Sequence, residues 1–155
     1  MSSYLLAISV QEFEFVERIT ETGLRFRVWS QPERINTTSY ALNFAVKCLE
    51  FFEDYLEFKY PLDKLDLVAL PDFFSSAMEN WGLNNYKEDV LLYREDLHSL
   101  DDRYTIEFVI AHDAQFIISC AVHKQRLIIF NWKAIGIIPP PKDKLLQKSQ
   151  ALPPF

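Results

Sequence analysis

The 155-residue sequence predicts an α+β fold in which a mixed sheet packs against helices. Three observations carry that prediction. Period-two alternation near the N-terminus reads as strand, a long stretch from Ser39 to Phe58 repeats with helical spacing, and the apolar run Leu65–Pro71 reads as a buried strand.

Taken in order, Ser3–Val10 is a strand-like run and Glu12–Val16 alternates with period two. Gly23 permits a turn before Leu24–Trp29, which places Leu24, Phe26 and Val28 on one face, so these two stretches predict a hairpin or neighbouring strands. Asn36–Thr37–Thr38 is a glycosylation sequon, but it also opens a helix, and the cap reading is favoured over the sugar. At about 100° per residue the helix 39–58 carries two apolar stripes. Leu42, Ala45, Val46, Leu49, Phe52 and Leu56 form one, and Phe44, Cys48, Phe51, Tyr55 and Phe58 lie nearly opposite. Lys47, Glu50, Glu53, Asp54 and Glu57 fill the arc between them, and such a helix is normally sandwiched. Pro61 is the expected stop. A strand follows at 65–70, another apolar run at Val90–Tyr93, a charged loop with a solvated His98, and a second helix from Tyr104 through Ile106, Val109, Ile110 and Ala114.

With 49% apolar and 15% aromatic residues, the composition excludes a disordered chain. No run is long enough to cross a bilayer, and Met1–Val10 lacks the charged start and cleavage site of a signal peptide. Cys48 and Cys120 make no disulfide framework, so a reduced, cytoplasmic setting is the default expectation. Residues 1–112 hold ten Lys and Arg against twenty Asp and Glu, whereas residues 113–155 hold six against two. A shift of that kind marks a junction at His112. Lys124–Gln125–Arg126 is too short, in an acidic whole, to argue for nucleic acid.

The stretch Ser75–Ser76–Ala77–Met78–Glu79–Asn80–Trp81–Gly82 lies between two expected strands, where a sheet edge can accept an extended peptide. Its neighbourhood, Tyr60–Tyr93, resembles the core of the zinc aminopeptidases of peptidase family M1, whose signature is G-A-M-E-N followed by an H-E-x-x-H helix. The likeness runs from about Met1 to His112 and then stops. It implies a partial thermolysin-like catalytic domain preceded by the last strands of a β-domain. The expected division is a β-domain remnant at 1–17, the front of the catalytic domain at 18–118 and a divergent, partly disordered tail at 119–155. The resemblance also implies peptides with a free N-terminus as partners. Glu79 corresponds to the residue that binds the α-amine, with Ser76, Ala77, Met78 and Asn80 as the rest of the substrate-binding strand. Ser76 replaces the motif's glycine, and its side chain crowds a closely approaching peptide. Family members include membrane-anchored and secreted proteins.

Zinc is the family's cofactor, and a zincin needs two histidines one helical turn apart with a Glu beside the first as general base. His112 fills the first ligand position and is its sole survivor. Asp113 stands at the catalytic-base position, shorter by one methylene, and Phe116 replaces the second histidine. By spacing, the third ligand position falls on Ile135. His112 and His123 would stand about 16 Å apart along a helix, and Cys120 with His123 makes only two ligands. The expectation is therefore a chain that resembles a metallopeptidase but holds no zinc and has little or no activity. The alternative is a non-catalytic peptide-binding or regulatory chain that pairs with a full-length homologue.

Overall fold

The computed structural model describes residues 5–122. Five strands form one mixed sheet: β1 (Glu14–Ile19), β2 (Arg25–Ser30), β3 (Lys64–Leu70), β4 (Ala77–Met78) and β5 (Leu83–Lys87). Their spatial order is β1-β2-β3-β5-β4. β1 and β2 are antiparallel, β3 runs parallel to both β2 and β5, and β4 lies antiparallel to β5. Helix α1 (Ser39–Tyr55) makes the crossover from β2 to β3, and α2 (Leu100–Val122) follows the sheet. This is the α+β arrangement expected from the sequence.

The β1–β2 hairpin turns at Gly23, whose φ of 87° is open to a residue without a Cβ. Leu24, Phe26 and Val28 all face the core, as their alternation requires. β3 is buried on both faces, which explains the apolar run Leu67–Leu70. Of its two charged residues, Lys64 and Asp66, the buried one, Asp66, is compensated. It takes Arg27 Nε at 2.7 Å, Lys64 Nζ at 2.6 Å and the Trp29 indole at 3.0 Å.

The first stripe of α1 packs into the core with β2, β3 and α2. Of the second stripe only Cys48 is buried, and Tyr55 is exposed. Glu53 does not belong to the solvent arc predicted for it. It is 3% exposed, and its carboxylate accepts the Tyr60 N–H at 2.7 Å, with Lys59 alongside at 3.6 Å. Tyr40 ties α1 to α2: its hydroxyl donates to Glu107, and Arg103 Nε donates to both, at 2.7 and 3.0 Å. Burial, with the Glu107 bond, pushes the Tyr40 hydroxyl up to about 12.

Several expectations need correction. Residues 6–13 form no strand, because they pair with no other strand. The strand expected at 90–93 is displaced toward the N-terminus. Leu83–Lys87 takes the ladder, and Leu91 and Leu92 are buried in the turn that follows a 3₁₀ segment. The apolar run at 90–93 misled because a polar pair, Asn84–Asn85, occupies the sheet. Thr38 does not cap α1 through its side chain; its hydroxyl donates backward to Ile35 O at 2.6 Å. Pro61 does not stop the helix. Glu57 takes a left-handed φ of 50°, and the bonds Phe58 N–Glu53 O and Glu57 N–Asp54 O close the end. His98 is not a free loop group: its Nδ1 accepts Arg94 N–H at 2.8 Å and its ring stacks on Tyr93. α2 starts at Leu100, earlier than expected, because Ser99 and Asp102 form reciprocal capping bonds of 2.8 and 3.2 Å.

The expected boundary after residue 17 falls inside β1, and the one after residue 118 falls inside α2. Most of the expected tail, with His123 and Ile135, lies outside the described residues. No helix among the described residues is long and apolar enough to cross a membrane.

Candidate functional site at the sheet edge

β4 is the outermost strand on its side of the sheet, paired through Ala77↔Tyr86 and Met78↔Asn85. Lys87 N also donates to Ser76 O at 3.0 Å, so the segment is anchored along its inner side. Among the described residues no strand lies beyond it. Ser76 is exposed, while Ala77, Met78 and Glu79 are half-buried.

Two features hold the edge in place after Met78. Asn80 is buried, and its amide oxygen accepts Asn85 Nδ2 at 3.0 Å while its own N–H donates to Met78 O. Its side chain therefore braces the turn. Gly82 then takes φ +75°, and a Cβ there would stand 3.1 Å from Leu62 Cδ1. The Gly82 carbonyl accepts Lys64 Nζ at 2.6 Å and Asp66 N at 3.1 Å, which pins the turn to β3.

The fold brings Glu79 to α2. Glu79, His112 and Asp113 each offer one ligand atom, and these three atoms lie within 4.8 Å of one another. The two α2 residues differ sharply. His112 has a side chain 54% exposed, whereas Asp113 is turned into the core at 1%. His112 Nδ1 donates to Asp113 Oδ1 at 3.0 Å. That bond raises the imidazole pKa, with the Asp113 and Glu79 charges adding to it against partial burial. Asp113 Oδ2 is buried as well, and the Tyr86 hydroxyl interacts with the Asp113 carboxylate. Tyr86 lies behind it, wholly buried, and its hydroxyl is held protonated first by burial and then by the Asp113 charge.

Cys120 also lies within reach of the Glu79 charge, although burial is the larger cause of its raised pKa. Cys48 is pushed up to about 12 by burial and is inert as a nucleophile. Both cysteines are free thiols.

The same stretch matches known proteins. Residues 40–116 match the peptidase family M1 domain. This stretch belongs to peptidase family M1. Aminopeptidase N of Haemonchus contortus is 50% identical over 113 residues, which is 73% of this chain and 12% of that protein. Endoplasmic reticulum aminopeptidase 1 of Homo sapiens is 46% identical, and aminopeptidase A of Gloydius brevicauda 43%, over the same shares. The chain thus spans about an eighth of the length of the curated relatives it matches.

M1 aminopeptidases are zinc-dependent, so the described residues can be tested for that fit. They do not supply the M1 ligand pair on α2. His112 is present, but one turn later Phe116 offers an apolar ring without a donor. Asp113, at the M1 base position, has its carboxylate buried against Tyr86 rather than open to a water. The M1 set is therefore incomplete on α2. Sequence spacing located His112 and Asp113 but missed their meeting with Glu79, which lies 33 positions away from His112 along the chain.

Proposed function

We propose that this chain receives the free amino-terminal end of a peptide at the β4 edge and holds it without cleaving it. The peptide backbone pairs along Ala77–Met78 and Glu79 accepts its α-ammonium. The observation that carries this reading is the position of Glu79. It follows directly on the last strand of the sheet, half-buried, where an added strand would end. The M1 membership of the stretch and the aminopeptidase names of its relatives support the same assignment. Retention without hydrolysis is supported by Phe116 at the second ligand position and by the inward Asp113.

The experiment is a binding titration with a peptide labelled at its C-terminus, free or acetylated at its N-terminus. Acetylation weakens binding by about tenfold or more, equivalent to about 1.4 kcal/mol, and mass spectrometry finds the peptide intact. Equal affinities, or a product shorter by one residue, contradict the reading.

A second reading rests on α1. Phe44, Phe51 and Phe58 are only partly covered and Tyr55 is exposed, which leaves an aromatic strip for a partner. Association with a full-length M1 homologue through that strip predicts co-sedimentation that Tyr55→Glu abolishes.

A further inference from the structure

We infer that the β1 edge is an interface between two copies of this chain, which pair antiparallel through Glu14–Ile19 into one continuous sheet. β1 is the outermost strand on the side of the sheet away from β4. Its ladder with β2 fixes which way each main-chain group points. Thr20 N–H donates to Leu24 O at 3.0 Å, and on the far side of β2 Arg25 N–H donates to Asp63 O at 3.1 Å. Antiparallel ladders alternate hydrogen-bonded and non-bonded pairs, so with Val16 opposite Val28 the bonded pairs fall on the even positions of β1. The N–H and C=O groups of Phe15, Glu17 and Ile19 therefore face away from β2, and among the described residues no strand takes them. Phe15 is 44% exposed and Ile19 63%, so the edge is open.

An open edge is a template for another strand, and the charges of β1 decide which strand and in what register. Outward groups of two identical antiparallel strands meet only when odd positions oppose odd ones, which places the two-fold axis on a residue. Centring it on Glu14, Glu17 or Arg18 sets like charges directly opposite one another, which is destabilising. Centring it on Phe15 wastes Glu14 against Val16, and centring it on Ile19 overlaps little of the strand. Centring it on Val16 brings Glu14 opposite Arg18 of the second copy, and the same pair recurs across the axis. Val16 then meets its own copy on that face. On the other face Phe15 opposes Glu17 and Phe13 opposes Ile19, and these odd pairs carry the main-chain bonds. Arg18 is already held for its part: its Nη1 donates to Asn43 Oδ1 at 3.0 Å, which keeps the side chain on the α1 face.

The inference goes beyond peptide retention and does not rest on it. β1 and β4 lie at opposite ends of the sheet, so a second copy on β1 leaves the Glu79 edge of each chain open. A single strand edge buries little surface, so the association is a reversible monomer–dimer equilibrium rather than a permanent assembly.

The test is sedimentation equilibrium of the full chain over a range of concentrations. The expected result is a monomer–dimer equilibrium that weakens as salt is raised, because the Glu14–Arg18 pairs are exposed. Glu14→Arg sets like charges opposite one another twice and lowers the association constant by about tenfold or more. Glu14→Arg combined with Arg18→Glu exchanges the charges and restores it. Glu17→Pro removes an outward N–H that the ladder with β2 does not use, and it abolishes the dimer. Glu17→Ala loses the same side chain, with its 3.0 Å bond to Arg25, and keeps the dimer. Circular dichroism verifies that each variant is folded. A chain that stays monomeric at every concentration overturns the interface. So does a dimer that the single charge reversal leaves unchanged, or one that the exchange fails to restore. A dimer that only Tyr55→Glu disperses overturns it as well, by moving the contact to α1.

Discussion

The edge segment Ser76–Gly82 and the helix segment His112–Phe116 meet at Glu79, yet they stand differently toward the M1 pattern. The edge keeps Ala77, Met78, Glu79 and Asn80, and the fold presents it as the last strand of a sheet. The helix keeps one imidazole, shortens the base and puts a phenyl ring where a ligand belongs. The difference teaches how unequally the two tasks tolerate change. Recognition by main-chain pairing and one carboxylate depends on backbone placement, which Asn80 and Gly82 secure from within the sheet. Metal-assisted hydrolysis needs every donor at once, and Phe116 offers none.

Three substitutions break or sharpen that contrast. The largest effect is expected from Phe116→His, which places a second imidazole one turn after His112. Zinc affinity then rises by about a hundredfold, or about 2.7 kcal/mol, in a competition titration with a chromogenic chelator. No change would mean that residue 116 does not face the site. The next is Gly82→Ala. Its positive φ and the 3.1 Å approach to Leu62 make any Cβ costly, and the variant loses about 1–2 kcal/mol of stability by urea denaturation. Peptide binding falls with it, because the turn carries the edge. An unchanged midpoint would show that the turn relaxes freely. The smallest is Glu57→Gly, outside both regions, where relief of the left-handed helix stop raises stability by about 0.5–1 kcal/mol. Its peptide affinity stays unchanged, which makes it the control for the other two.

Those particular residues also show what the sequence can reveal. β2 and both helices are legible because their burial patterns are local and periodic, β3 because it is apolar and buried on both faces, and the expected core face of β2 is the observed one. β5 is not legible. Asn84 is buried beside Tyr86, so a polar pair occupies a strand while the apolar Val90–Leu92 turns away from the sheet. The end of α1 depends on main-chain bonds around Glu57, a residue type that gives no sign of a left-handed stop. Glu53 in its solvent arc fails because its side chain finds an inward partner at Tyr60. At the site, spacing along α2 identifies His112 and Asp113, but neither the inward turn of Asp113 nor the arrival of Glu79 is encoded by spacing. Both follow from how α2 packs across the sheet.

The measurement that bears most directly on the account is a thermodynamic cycle on one interaction. A free and an acetylated peptide are titrated calorimetrically into the unaltered chain and into Glu79→Gln, with a chelator present so that no metal competes. The account predicts a coupling of about 1.5–3 kcal/mol between the peptide amine and Glu79, the range for a hydrogen bond to a charged group. A coupling near zero, with the free peptide bound equally well by both proteins, would contradict the assignment of Glu79 as the amine anchor.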